Sequence, residues 1–142
     1  MIGPVALVPL VEDVLRHVFT GDLDQAAAVL DHVADLGDAA DMYGLCIAVA
    51  ETGQSALQAH PSGAATLVRA LLAASSAPAD PHRLFAARFL AAYGRDDREM
   101  TTALFHAAVT AGARARTESV CALLALVSGL HRRPAGPCTE GT

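Results

Sequence analysis

Residues 42–50 read Met-Tyr-Gly-Leu-Cys-Ile-Ala-Val-Ala, and residues 121–127 read Cys-Ala-Leu-Leu-Ala-Leu-Val. Both runs are apolar on every face at helical spacing, and both are far shorter than the roughly 20 residues a bilayer requires. A helix without a polar side has to be covered on all sides. The two runs therefore predict two central helices, and the remaining chain supplies the helices that cover them.

Punctuation around the runs sets the other elements. Upstream, a first helix over residues 9–20 places Val11, Leu15, Val18 and Phe19 on one face, with Pro9 in its first turn and Gly21 as its stop. Asp22-Leu23-Asp24-Gln25 reads as a capping box that opens a second helix over residues 23–36, ended by Gly37. The third helix, over residues 38–58, carries the first apolar run, and a short fourth covers residues 63–74. Asp80-Pro81 is a cap followed by proline at the first helical position, which opens a fifth helix to Tyr93. Asp96-Asp97-Arg98-Glu99 reads as a second capping box, with Asp96 as the cap of a sixth helix ending near Ala111. The seventh begins between Arg114 and Thr117 and runs to His131, before Pro134. Strand signals are sparse. The expected fold is all-α: one compact bundle of about seven helices over residues 1–133, with a flexible tail over residues 134–142.

Composition agrees with one packed domain of 142 residues, 53% of them hydrophobic, with a mean hydropathy of +0.36. Only 4% are aromatic and 31 are alanine, so the core is built from Ala, Leu and Val and its helix axes approach closely. Ten arginines and no lysine, with abundant Ala and Gly, suggest a high-GC bacterial source. Three cysteines without C-x-x-C spacing speak against a disulfide framework and a structural zinc site, and fit a reducing cytoplasm. Residues 2–11 are apolar, but no basic residue precedes Arg16 and Glu12-Asp13 interrupt the run, which is not the pattern of a signal peptide.

The halves of the chain look alike. A shift of 74 aligns Asp22 with Asp96, Gln25 with Glu99, Leu30 with Leu104 and His32 with His106, and a shift of 75 aligns Gly37 with Gly112 and Cys46 with Cys121. This suggests a duplicated three-helix unit joined by the fourth helix. Residues 10–38 also resemble a tetratricopeptide-type hairpin, since Gly21, Ala26 and Leu30 fall at that repeat's spacings. The resemblance implies a helix-turn-helix unit. It departs from the pattern at Asp13, Val14 and His17, and 34 residues later Ser55 and His60 replace the repeat's Gly and Ala.

Chemistry is harder to find. The histidines, at positions 17, 32, 60, 82, 106 and 131, show no H-x-x-x-H or H-E-x-x-H pairing, so no metal and no cofactor is expected. Cys46 and Cys121 fall inside the apolar runs, where a thiol acts as a small hydrophobe. No nucleophile elbow, phosphate loop or dinucleotide fingerprint occurs. Charge is uneven: residues 1–80 carry two Arg against ten acids, and residues 81–142 carry eight Arg against five. Asp24, Asp31 and Asp35 make an acidic stripe on the second helix, while Arg88, Arg95 and Arg98 belong to the basic half. An acidic chain without Lys or Trp is a poor match to nucleic acid, and no run suits a membrane. The expectation is a non-enzymatic interaction or adaptor protein whose partner is another protein or itself. Its contact surface would be drawn from Ile2, Val5, Leu7 and Val8, the three aspartates and the three arginines. The alternative is a ligand-binding or enzymatic bundle with a pocket between helices lined by Tyr43, Met42, His106 or Tyr93, and with His32 as a further candidate.

The two central runs generate a test. Leu45→Asp or Leu124→Asp should abolish folding, because an unpaired buried carboxylate costs several kcal/mol, comparable with the stability of a whole domain. Circular dichroism melts of the two variants check it.

Overall fold

The computed structural model describes residues 4–59, 62–76 and 78–131. Among them are seven helices and no strand: α1 Pro4–Thr20, α2 Leu23–Leu36, α3 Ala39–Ala59, α4 Gly63–Ser75, α5 Pro81–Gly94, α6 Arg98–Thr110 and α7 Ala113–His131. The expected tail, residues 134–142, is outside the described residues.

The two apolar runs are central, as their patterning requires. Leu45, Cys46 and Val49 of α3 and Val120, Leu123 and Val127 of α7 are fully buried, and α3 packs along α7. Sequence patterning predicts two central helices, and the structure adds a third. Phe85, Ala86, Ala87, Phe89, Leu90 and Ala92 are all buried, and α5 makes the most extensive contact with α7. Arginines at 83 and 88 mask this role in the sequence, although both are exposed while the residues between and beyond them are largely buried. Small residues set the spacing. A Cβ on Gly53 would stand 2.8 Å from Val127 Cγ2 and 3.1 Å from Leu90 Cδ1, so α3 meets α5 and α7 at its bare backbone.

The α1–α2 hairpin covers α3 and α7, α4 rests on α5 and α3, and α6 lies against α5 and α7. The buried Ser128 hydroxyl donates to the Val18 carbonyl at 2.9 Å and ties α7 to the end of α1. Helix α1 starts five residues before the expected position and takes Pro9 into its interior. The bond that Pro9 cannot donate would fall on the carbonyl of Val5, a residue 86% exposed, where water can replace it. Leu7, Leu10 and Val11 pack on the core, and that burial holds the extra turn in place.

Two turns share one geometry. After α1, Gly21 has φ 79°, its amide donates to Val18 O at 3.1 Å and the Asp22 amide donates to His17 O at 2.8 Å. After α5, Asp96 has φ 57°, its amide donates to Tyr93 O at 3.0 Å and the Asp97 amide donates to Ala92 O at 2.9 Å. Both are Schellman endings, whose left-handed residue precedes the next cap. Asp22 Oδ1 accepts from the Gln25 amide at 3.2 Å, and Asp97 Oδ1 accepts from the Met100 amide at 3.1 Å. The cap of α6 is therefore Asp97, not Asp96, because leaving α5 consumes one left-handed residue before the cap. The correspondence between the two three-helix units becomes one shift of 75 throughout. It pairs buried Val14 with Phe89, Leu30 with Phe105, Leu45 with Val120, and Val49 with Leu124.

Helix α3 opens on a reciprocal pair: the Asp38 amide donates to Asp41 Oδ2 and the Asp41 amide to Asp38 Oδ1, both at 3.0 Å. Asp80 caps α5 by accepting from the His82 and Arg83 amides at 3.1 and 3.2 Å.

These turns make a prediction at adjacent residues. Asp97→Ala and Asp22→Ala should each cost roughly 0.5–2 kcal/mol through a lost amide acceptor. Asp96→Gly should cost nothing and raise stability by up to about 1 kcal/mol, since glycine relieves the left-handed backbone. Urea denaturation of the three variants tests the assignment, and destabilisation by Asp96→Gly would contradict it.

Candidate functional site

The chain has two tyrosines, and both open onto one cleft. Tyr43 and Ile47 come from neighbouring turns of α3, Tyr93 from the last turn of α5, Asp96 and Asp97 from the turn, and Arg98 and Thr101 from the start of α6. Together they enclose about 420 Å³. The wall behind Tyr43 is aromatic: its ring meets Phe89 and Phe105 edge-on, with centroids 6.3 and 5.3 Å away. The Thr101 hydroxyl donates to the Arg98 carbonyl at 3.0 Å, which leaves the Tyr43 hydroxyl to donate to Thr101 Oγ1 at 2.9 Å. Burial pushes the Tyr93 hydroxyl above its ordinary value, as do the carboxylates of Glu51 and Asp96, while Arg98 opposes them.

Two of the pocket residues expected from the sequence fall elsewhere. Met42 is 1% exposed and belongs to the core, since one residue's advance along a helix turns the side chain by about 100°. His106 is exposed and borders a separate shallow hollow of about 260 Å³ with Ala39, Ala40, Tyr43, Phe105 and Val109. His32 is exposed on α2.

The expected contact residues are on several elements. Val5 and Val8 point outward, 86% and 54% exposed, but Leu7 turns inward against the core, and Ile2 is outside the described residues. Asp24, Asp31 and Asp35 are exposed along α2. Arg88 is exposed on α5, while Arg95 and Arg98 flank the α5–α6 turn, with Arg95 Nη2 3.9 Å from Asp97 Oδ2. Among the described residues no ion pair joins the acidic stripe to these arginines.

Two features escape the sequence reading. His82 Nδ1 is 3.0 Å from the hydroxyl of buried Ser119, and its Nε2 is 3.6 Å from Glu118 Oε1. Ser119 sits inside α7, whose amides are committed to the helix and offer no oxyanion hole, and the group acts as a polar clasp between α5 and α7. No local signal links residue 82 with 118 and 119, because the fold alone brings them together. The second feature is α4, where Val68 and Leu72 are 54% and 63% exposed. A signal existed here, since Arg69 is the one charged residue in Gly63–Ser75.

No group of three His, Cys, Asp or Glu converges among the described residues, and no helix there is long and apolar enough to cross a membrane. Burial pushes the Cys46 thiol up to about 12, and raises half-buried Cys121 with help from Asp31 and Glu118. Cys46 should therefore resist iodoacetamide at pH 8 until the protein unfolds, as read by mass spectrometry. Its raised value favours the neutral thiol in the fold. The associated stability is complete below the ordinary value of 9.0 and declines as pH rises toward 12.

No protein-family model matches the chain, and no curated protein or solved structure matches it.

Proposed function

We propose that this protein works by contact, as a non-enzymatic interaction or adaptor module that pairs with another protein or with a second copy of itself. The observation that carries this reading is the outer face of α4. Ala64, Val68 and Leu72 recur at four-residue spacing along one exposed stripe, on a helix whose one charge is Arg69. An exposed face of this kind marks a contact site more often than an idle surface, and covering it returns about 25 cal/mol per Å² of apolar area. Val5 and Val8 are further exposed apolar residues, on α1.

The interior supports the same reading. The buried polar residues are engaged in structural bonds: Thr66 donates to Ser62 O, Thr101 to Arg98 O and Ser128 to Val18 O, while Ser119 pairs with His82 and Asp41 with the Asp38 amide. The acidic and basic halves favour approach in a defined orientation. Free Cys46 and Cys121 suit a reducing cytoplasm. A second reading, a ligand-binding bundle, is favoured by the convergence of Tyr43 and Tyr93 on one cleft.

Light scattering and a pull-down from the source cell test the contact reading. Wild type should be dimeric or complexed, and Leu72→Glu should be monomeric with unchanged helix content. Raising salt to about 1 M, where the Debye length is about 3 Å, should change little if the apolar face dominates. A monodisperse wild-type monomer that captures no protein would overturn it.

A further inference from the structure

We propose that the cleft between Tyr43 and Tyr93 binds a small organic cation, an amine on a compact apolar body, with Asp96 as its counter-ion. This deepens the ligand-binding reading and is independent of the docking role of α4.

Shape comes first. A volume of about 420 Å³ lies within the roughly 300–1,000 Å³ of small-ligand sites. The walls are two tyrosines and Ile47, in a chain that is only 4% aromatic. The site is also preformed. Tyr43 is fixed by Phe89, Phe105 and Thr101, so a ligand meets a ring already in position.

Charge selects the class of ligand. Asp97 uses one carboxylate oxygen to cap α6, and its other faces Arg95. Asp96 caps nothing, and it lines the cleft close enough to Tyr93 for its charge to act on that hydroxyl. Glu51, exposed on α3, adds a second negative charge close enough to act on Tyr93. Arg98 is the cation of the lining, so carboxylates outnumber it around the aromatic walls. An ammonium group is attracted both by the aromatic walls and by these carboxylates, whereas an anion gains from Arg98 and the start of α6 but is repelled by the same carboxylates.

The turn itself gives supporting evidence. The equivalent left-handed position after α1 is Gly21, the residue such a backbone favours. After α5 the chain places an aspartate there instead, at the edge of the cleft. A non-glycine residue at positive φ is uncommon, and such positions cluster at binding sites.

The probes are cyclohexylammonium, cyclohexanol and cyclohexanecarboxylate, one ring with three charges. Tyrosine emission reports on the cleft, because the chain has no tryptophan and both tyrosines line it. Cyclohexylammonium should give a saturable change at least about ten-fold tighter than cyclohexanol, with the carboxylate weakest. Asp96→Gly, with a melting temperature no lower than wild type, should weaken the cation about five-fold and leave cyclohexanol unchanged. Glu51→Gln, on an exposed position, should weaken it in the same direction, and Arg98→Ala should tighten it. Leu72→Glu should bind the cation as wild type does, which separates this site from the α4 face. No saturable change with any probe, equal affinity for all three, preference for the carboxylate, or full cation affinity in well-folded Asp96→Gly would each overturn the proposal.

Discussion

The approach of α3 to α5 and α7 at Gly53 is the constraint on which the rest of the structure depends. With no side chain at that crossing, Val127 and Leu90 press against the α3 backbone, and the three helices become one apolar block. Larger residues at the crossing would part the helices and open voids, and each such void forfeits dispersion contacts that no other group replaces. The remaining helices then have one task, to cover the block. The α1–α2 hairpin does so on α3 and α7, and α6 does so on α5 and α7.

This arrangement also creates the cleft. Because α5 is central, its C-terminal end with Tyr93 is held beside α3, and the Schellman turn sends α6 back across Tyr43. The cleft is thus a by-product of two packing demands, closure of the block and reversal of the chain. Its chemistry comes from residues those demands leave free: Asp96 in a position that needs only a left-handed backbone, and Tyr93 at a helix end. The buried hydroxyls of α7 have no such freedom, since Ser128 bonds the Val18 carbonyl and Ser119 pairs with His82.

On the outside, α4 stands apart from the logic of coverage. It bridges the two three-helix units and leaves Val68 and Leu72 in water. Burial of α4 on α5 and α3 accounts for Thr66 and Ala74 but not for the opposite face. An apolar helix that is only half used within its own domain is where a contact protein would keep its surface.

The chain's sequence alone determined the helical class, most helix ends and the central place of residues 42–50 and 121–127. These rest on local physics: Asp22 and Asp80 cap, Gly21 and Gly112 take positive φ, and runs without a polar face have nowhere to go but inside. Of the residues the sequence offered for a pocket, Tyr43 and Tyr93 line the cleft. Met42 and His106 do not, and Leu7 leaves the expected contact surface, since neighbouring helix positions point about 100° apart and packing decides which of them faces a cleft, the core or water. Only the tertiary structure made α5 central, extended α1 through Pro9, moved the cap from Asp96 to Asp97 and set His82 beside Ser119 and Glu118. Three of the four are settled by contacts with residues distant in the chain, whose burial outweighs the local preference by which a sequence is read, while the cap moves because the ending of α5 uses one left-handed residue first.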